Sequence, residues 1–394
     1  MRSLYDLNSM TKKFYTSIFT LCVALALTPA LHSIEVEVAG TKKIAVQISP
    51  FQGAEAALLQ KIVTEDLRRT LMIDPVSSLG SYSVVGSASG GSLIGKLADS
   101  TKGSEVFSRN YSGDIRKMAH EFADDILESL TQVKGFSTSR IAFISGTQGA
   151  KELYTMDIDG SNIKRLTSDK SISANPAWST DGSSISYMSY RSGYPDVYII
   201  KLAQGIRTRV AGFPGINSGP AFSPNGLQLA LTLSKDGNPE IYTISTAGGA
   251  PTRLTRTRGT ETSPSWSPDG SQIVYNSDER GTTQLFTISS GGGEPIRIST
   301  PGTYSAEPSW APNGTKIAYS ARTGGGFCIW VYDTNTRLAQ QVSPGLGEDP
   351  CWTRNSRHLV YSKDGSLYLL DTVTKQSTRL DNGLTNCTEP AISR

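Results

Sequence analysis

One phrase in this chain recurs at a fixed interval, and it limits the fold more than any other feature. Pro264-Ser-Trp266-Ser-Pro268-Asp269-Gly270 runs into Ile273-Val-Tyr275, and Pro308-Ser-Trp310-Ala-Pro312-Asn313-Gly314 runs into Ile317-Ala-Tyr319. Reduced copies are Pro176-Ala-Trp178 with Asp181-Gly182, Pro220-Ala-Phe222 with Asn225-Gly226, and Pro350-Cys-Trp352 with Asn355. The triplets after these turns begin at Ile141, Ile185, Leu229, Ile273, Ile317 and Leu359, four steps of 44 residues and one of 42. A second column keeps the same count: Leu153-Tyr154, Val197-Tyr198, Ile241-Tyr242, Leu285-Phe286, Ile329-Trp330 and Leu367-Tyr368. So does a third: Arg165-Leu166, Arg209-Val210, Arg253-Leu254, Arg297-Ile298, Gln341-Val342 and Arg379-Leu380. Six copies in register across three columns define a repeat architecture.

Each copy converts into four short strands. The Pro-x-Trp segment opens one, and the Asp-Gly or Asn-Gly pair that follows tolerates the positive φ of a tight hairpin. The Ile-x-Tyr triplet, the Leu-Tyr pair and the Arg-Leu pair supply the next three. Four antiparallel strands per repeat of about 40–45 residues describe a propeller blade. The first copy, from Arg140 to Thr167, lacks a Pro-x-Trp strand, and Pro390 to Arg394 is such a strand with nothing after it. Pairing the two closes the ring and removes its open edges. The predicted fold is mainly β: a six-bladed β-propeller over residues 140–394, preceded by a small α/β domain over residues 33–136. Recurring once per blade, Trp178, Trp266, Trp310 and Trp352, with Tyr187, Tyr275, Tyr319 and Tyr361, read as packing between blades rather than a glycan-binding set.

The chain ahead of Arg140 has a different pattern. Lys43 to Ile48 reads as a strand, Ala54 to Met72 as a helix with apolar residues close to helical spacing, and Tyr82 to Ser108 as a three-stranded meander. A second helix runs from about Asp114 to Val133, with Gly135 as its C-terminal stop. At the start, Lys12 and Lys13 precede an apolar run from Phe14 to Leu27, followed by small residues around Ala24-Leu-Ala26 and Thr28-Pro-Ala30. That is the pattern of a cleaved export signal over residues 1–32. Cys22 within it lacks the small neighbours of a lipoprotein site, and the expected mature chain is exported without direct membrane insertion. The formal charge is +3, of which the first 33 residues supply +2, so no basic excess remains to hold nucleic acid.

Chemistry is sparse. Gly90-Gly-Ser-Leu-Ile-Gly95-Lys96 has phosphate-loop spacing but ends on Leu97 where a hydroxyl is needed, and reads as a hairpin turn. No Gly-x-Ser-x-Gly elbow is present, and His120 and His358 lack companions for a hydrolytic triad. Asp157-Ile-Asp159-Gly160 lacks the later ligands of a calcium loop and reads as a turn. Cys351 and Cys387 are either bridged or buried thiols. No cofactor, metal or catalytic residue is assigned.

The informative positions are those that the repeat leaves free. Asn175, Gly219, Ser263, Glu307, Asp349 and Glu389 each precede a strand-opening proline, and Ala174, Ser218, Thr262, Ala306, Glu348 and Thr388 precede them. On the innermost strands of a propeller they ring one mouth of the channel. Their variation in charge and size fits a partner-binding surface, or else loop residues that nothing restrains.

An export signal, a small α/β domain and six Pro-x-Trp-Ser-Pro-Asp-Gly blades together resemble the TolB family, periplasmic components of the Tol–Pal cell-envelope system of Gram-negative bacteria. Local matches are the strand from Ile44 into Pro50-Phe51, the Val133-Lys-Gly-Phe136 stretch and the Arg140-Ile-Ala-Phe143 opening. The chain departs from the family between the first helix and Tyr82, where it is too short for an additional helix. The resemblance implies a non-enzymatic adaptor in the periplasm that supports outer-membrane integrity and cell division. It implies that the lipoprotein Pal docks at the mouth, on Asn217, Ser218, Gly219, Glu261, Thr262 and Ser263, with Glu307, Asp349 and Glu389 completing the ring. It implies that TolA engages an N-terminal arm, Ser33, Ile34, Glu35, Val36, Glu37 and Val38. The alternatives are a propeller-bearing hydrolase or lyase with its site in the channel, and a carbohydrate-binding module.

Overall fold

A computed structural model describes residues 43–380 and 383–394. The expected export signal and the arm from Ser33 to Val38 lie outside the described residues. Among the described residues no helix is long and apolar enough to cross a membrane.

The N-terminal layer is a mixed sheet with two helices. Its strands are β1 (Ile44–Ile48), β2 (Gln52–Gly53), β3 (Ile73–Val76), β4 (Tyr82–Ser89), β5 (Ser92–Asp99) and β6 (Ser104–Ser112), in the order β3-β1-β4-β5-β6 with β2 beside β4. β1 runs parallel to β3 and β4, whereas β4, β5 and β6 form an antiparallel meander. The phosphate-loop look-alike is the β4–β5 hairpin, with Gly90 and Gly91 at φ 58° and 76°, as a two-residue turn of its handedness requires. β3 carries Asp74 and Pro75 at its centre and has no strand signature; it forms because it is an edge, where proline costs no shared ladder bond. It also occupies the stretch too short for an additional helix.

Helices α1 (Ala56–Arg69) and α2 (Ile115–Thr131) are shorter than their periodicity suggests. Asp114 caps α2, its Oδ1 accepting from the backbone N–H of Arg116 at 2.9 Å, and the helix ends at Gln132 in the left-handed region. Gly135 is therefore not the stop. Its role is close approach: a Cβ there would lie 2.2 Å from Cβ of Asp124.

Six four-stranded sheets follow. The first blade joins β7 (Arg140–Thr147), β8 (Ala150–Asp157) and β9 (Lys164–Arg165) to the C-terminal strand Thr388–Ile392, with Ile392 opposite Ile141 and Ala391 opposite Ala142. The ring thus closes as its incomplete first repeat and orphan last strand demand. Blades two to six begin at Ser173, Asn217, Glu261, Ser305 and Glu348. The tryptophan column packs between blades. Indole Nε1 of Trp178, Trp266 and Trp352 each donates to a carbonyl of the preceding blade's inner strand, Ala391, Ala221 and Ser309, at 3.0 Å; Trp310 instead bonds Gly314 in its own hairpin. The tyrosine column is wholly buried.

The N-terminal layer shares one apolar core with the first and last blades. Leu67, Phe122 and Ile126 are continuous with Ile141, Met156, Val360 and Leu369. Polar pins reinforce this seam. Arg354 of the sixth blade reaches Asp124 at 2.7 Å and the carbonyl of Gly135, and His358 Nε2 donates to the carbonyl of Thr70 at 2.7 Å.

Candidate functional site: the channel mouth

Every inner strand is bulged at the same point. Asn175, Gly219, Ser263, Glu307, Asp349 and Glu389 have φ of 51°, 57°, 56°, 54°, 54° and 53°, all left-handed, and a register shift spans each of them and the proline that follows. The bulge turns these residues inward. All six, with their prolines, line a channel of about 260 Å³.

The mouth has two unlike arcs. On the fifth, sixth and first blades, three carboxylates form a relay in which each accepts from the backbone N–H of the next blade. Glu307 Oε2 accepts from Asp349 N at 3.0 Å, Asp349 Oδ2 from Glu389 N at 3.1 Å, and Glu389 Oε2 from Asn175 N at 2.5 Å. Hydroxyls from the second strands support the first two, Ser320 on Glu307 at 2.6 Å and Ser362 on Asp349 at 2.9 Å. Asn276 extends the belt backward, accepting from Glu307 N at 3.3 Å and donating to Thr262 at 2.7 Å. Burial pushes Glu307 up to about 7, and the Asp349 charge adds to the push. Burial likewise lifts Glu389 to about 7, again with Asp349 adding, and raises Asp349 itself despite its hydrogen bonds. The opposite arc, Asn175, Gly219 and Ser263, carries no charge; Ser218 and Thr262, just before the last two, are partly exposed but do not line the channel.

Two of the expected contact residues are not on this surface. Asn217 and Glu261 are fully covered. Asn217 staples its own loop, accepting from Phe213 N at 2.9 Å and donating to the carbonyls of Phe213 and Pro195 at 2.8 and 3.0 Å. Glu261 accepts from Thr257 at 2.8 Å and from Ser277; burial, with Glu240 beside it, pushes it up to about 7. The cause is strand position, because Ser173 and Ser305, at the same point of their blades, are buried too. Ser218, Gly219, Thr262, Ser263, Glu307, Asp349 and Glu389 are partly exposed. Ser320, Ser362 and Asn276, which hold the acidic arc, carry no mark in the sequence beyond their place in the second strands.

His120 and His358 do not line the channel. Burial pushes His358 down to about 4. Cys351 lines the channel as a free thiol whose pKa burial raises.

A closed six-bladed ring packed on a small α/β layer defines the class, a repeat-built β-propeller protein. Residues 127–394 match the model of the TolB beta propeller domain, and the chain belongs to that family. It is 36% identical over 170 residues to the Tol-Pal system protein TolB of Geobacter metallireducens, covering 42% of this chain and 35% of that one. With TolB of Bordetella avium it shares 32% identity over 196 residues, 42% of this chain and 44% of the other. The matched segments thus span less than half the length of these relatives. The crystal structure of TolB from Acinetobacter baumannii superposes with a TM-score of 0.82 at 25% identity, covering 89% of this chain and 97% of that one.

Proposed function

We propose that this protein is the periplasmic adaptor of a Tol–Pal system, a non-enzymatic component that docks Pal at the channel mouth and engages TolA through Ser33 to Val38. Outer-membrane integrity and cell division would depend on the pairing. The proposal divides the chain into an export signal over 1–32, an N-terminal domain over 33–136 and a propeller over 140–394.

The observation that carries the mouth assignment is backbone strain. Left-handed φ is cheap for glycine and costs other residues about 1 kcal/mol or more. Gly219 takes the cheap solution, and Asn175 and Asp349 are of the types that enter this region readily, but Ser263, Glu307 and Glu389 hold a side chain there against that cost. Strain kept at equivalent positions around one opening supports a role for that opening: the acidic side chains tie one blade to the next, and Ser263, with no such bond to a neighbouring blade, is the one left for a partner. The contact surface in this reading is Ser218, Gly219, Thr262 and Ser263 at the neutral arc and Glu307, Asp349 and Glu389 on the acidic one, with Asn217 and Glu261 shaping the loops behind.

Calorimetric titration of the protein with the soluble domain of Pal from the same organism tests this, beside a Ser218→Arg, Thr262→Arg double variant. Saturable one-to-one binding, weakened at least tenfold in the variant, is the expected result. Absence of binding by the folded protein overturns the Pal assignment, and unchanged binding by the variant overturns the location.

A further inference from the structure

The Asp157-Ile-Asp159-Gly160 turn, which by itself lacks the ligands of a cation loop, is met in the fold by a histidine from the N-terminal layer. α2 passes over the end of β8, and His120 offers a ring nitrogen within 4.8 Å of a carboxylate oxygen of Asp157 and of one of Asp159, which are equally close to each other. The imidazole is 4% exposed. Its Nδ1 lies 2.5 Å from Oδ2 of Asp66 on α1, which is itself buried. Its Nε2 is buried and has no hydrogen-bond partner. A buried histidine oriented through Nδ1 by a carboxylate, with Nε2 unpaired and two more carboxylates within reach of the ring, has the form of a metal ligand with its outer-shell support in place.

Arg116 is the present counter-ion. One of its terminal nitrogens bonds Asp159, its Nε stands 3.8 Å from Asp157, and that Nε is buried with no hydrogen bond. The guanidinium therefore offsets the two carboxylates, which also accept from Asn162 and Ser161, while its own Nε and the imidazole Nε2 stay unpaired. A cleft of about 220 Å³, bordered by His120, Asp157, Arg116, Lys117, Arg140 and Ser137, leads to the place from outside.

We propose that His120, Asp157 and Asp159 bind one divalent transition metal of the zinc class, fastening α2 to the turn after β8, with Arg116 as its built-in competitor. One imidazole and two carboxylates leave a fourth position for water, and the imidazole favours zinc-like ions over calcium and magnesium. Metal–ligand bonds of about 2.0–2.2 Å require ligand atoms about 3.3 Å apart. The three ligand atoms stand within 4.8 Å of one another, so closure asks them to move inward once the Arg116 side chain, about a fifth exposed, swings into the cleft. Asp66, Arg69, Arg116, Asp157 and Asp159 are the charged groups around His120, with Lys117 and Arg140 further along the cleft.

The test is titration of the chelator-stripped full chain with cobalt(II) at pH 8, read as visible d–d absorption, followed by displacement with zinc. One equivalent should saturate the signal. Arg116→Gln should tighten binding several-fold while lowering metal-free stability, an outcome that an ion pair with no metal role does not produce. His120→Gln should weaken binding at least tenfold. The Glu307→Gln, Asp349→Asn variant should keep the signal, which separates the site from the channel carboxylates. No absorption with either the wild type or Arg116→Gln, both folded by circular dichroism, overturns the proposal. So does a signal that survives in His120→Gln.

Discussion

Replacing Glu307 by glutamine should stabilise the protein, and only above mildly acidic pH. Glu307 is lifted from 4.5 to about 7, first by burial and then by the Asp349 charge. A carboxyl whose pKa is higher folded than unfolded makes the native state bind the extra proton, so it penalises folding wherever the unfolded chain has released that proton. Below about pH 4.5 both states are protonated, and variant and wild type should be equally stable. Between 4.5 and 7 the wild type loses ground, and above 7 the deficit is constant. The rise from 4.5 to about 7 corresponds to roughly 3.4 kcal/mol at most. Asp349 shares the same field, which reduces the gain to about 1–3 kcal/mol. Glutamine keeps a carbonyl oxygen for Asp349 N and Ser320, so little hydrogen bonding is lost. For a cooperative unit of this size the rise in Tm is about 1–4 °C. Scanning calorimetry of both proteins at pH 4.5, 6 and 8 measures it. A difference independent of pH, or a variant less stable at pH 8, would refute the account of the acidic arc.

Four other outcomes follow from named contacts. Arg354→Ala strands the buried Asp124 carboxylate at the seam and should cost about 2–4 kcal/mol in urea denaturation. His358, held neutral with its pKa near 4, contributes stability that is present above pH 6.5 and lost as pH falls toward 4; His358→Gln should flatten that acid limb in urea midpoints taken at pH 7 and 4.5. Ser263→Gly relieves left-handed strain but loosens the unfolded chain, for a net gain of about 0.5 kcal/mol by thermal melting, while weakening Pal binding at the mouth. Deleting Pro390–Arg394 removes the partner of β7 and the acceptor of Trp178, and should give aggregated or unfolded protein by size-exclusion chromatography.

Fixed spacing made the propeller legible, since every blade restates the same strands and a missing strand at one end matched a surplus strand at the other. One column at that spacing went unread. Glu152, Asp196, Glu240 and Gln284 stand 44 residues apart, and each receives the edge-strand arginine of its blade: Arg165, Arg209, Arg253 and Arg297. The arginine column marks the edge strand but not its partner, because the partners carry three different side chains. The seam with the N-terminal layer was not legible at all. Arg354 with Asp124 and His358 with Thr70 are joined across more than 200 residues by elements that share no period. Nor could spacing tell Asn217 and Glu261 from the true mouth residues, since all lie within three positions of a proline. What separates them is the direction each side chain takes from a bulged strand.

That bulge explains how a repeat can keep its frame and still present a varied surface. Proline after each bulge removes a backbone donor and limits the residue before it, yet the left-handed turn there aims that residue's own N–H across the channel. In the acidic arc those N–H groups are met by the previous blade's carboxylate, so one blade's side chain satisfies the next blade's backbone. Any residue with a suitable acceptor can close such a link. Where Gly219 and Ser263 stand instead, no carboxylate from the blade before reaches across, and the mouth is left uncharged. The same backbone geometry therefore yields an arc sealed by its own hydrogen bonds beside an arc with polar groups to spare, and it is the second that suits docking by another protein.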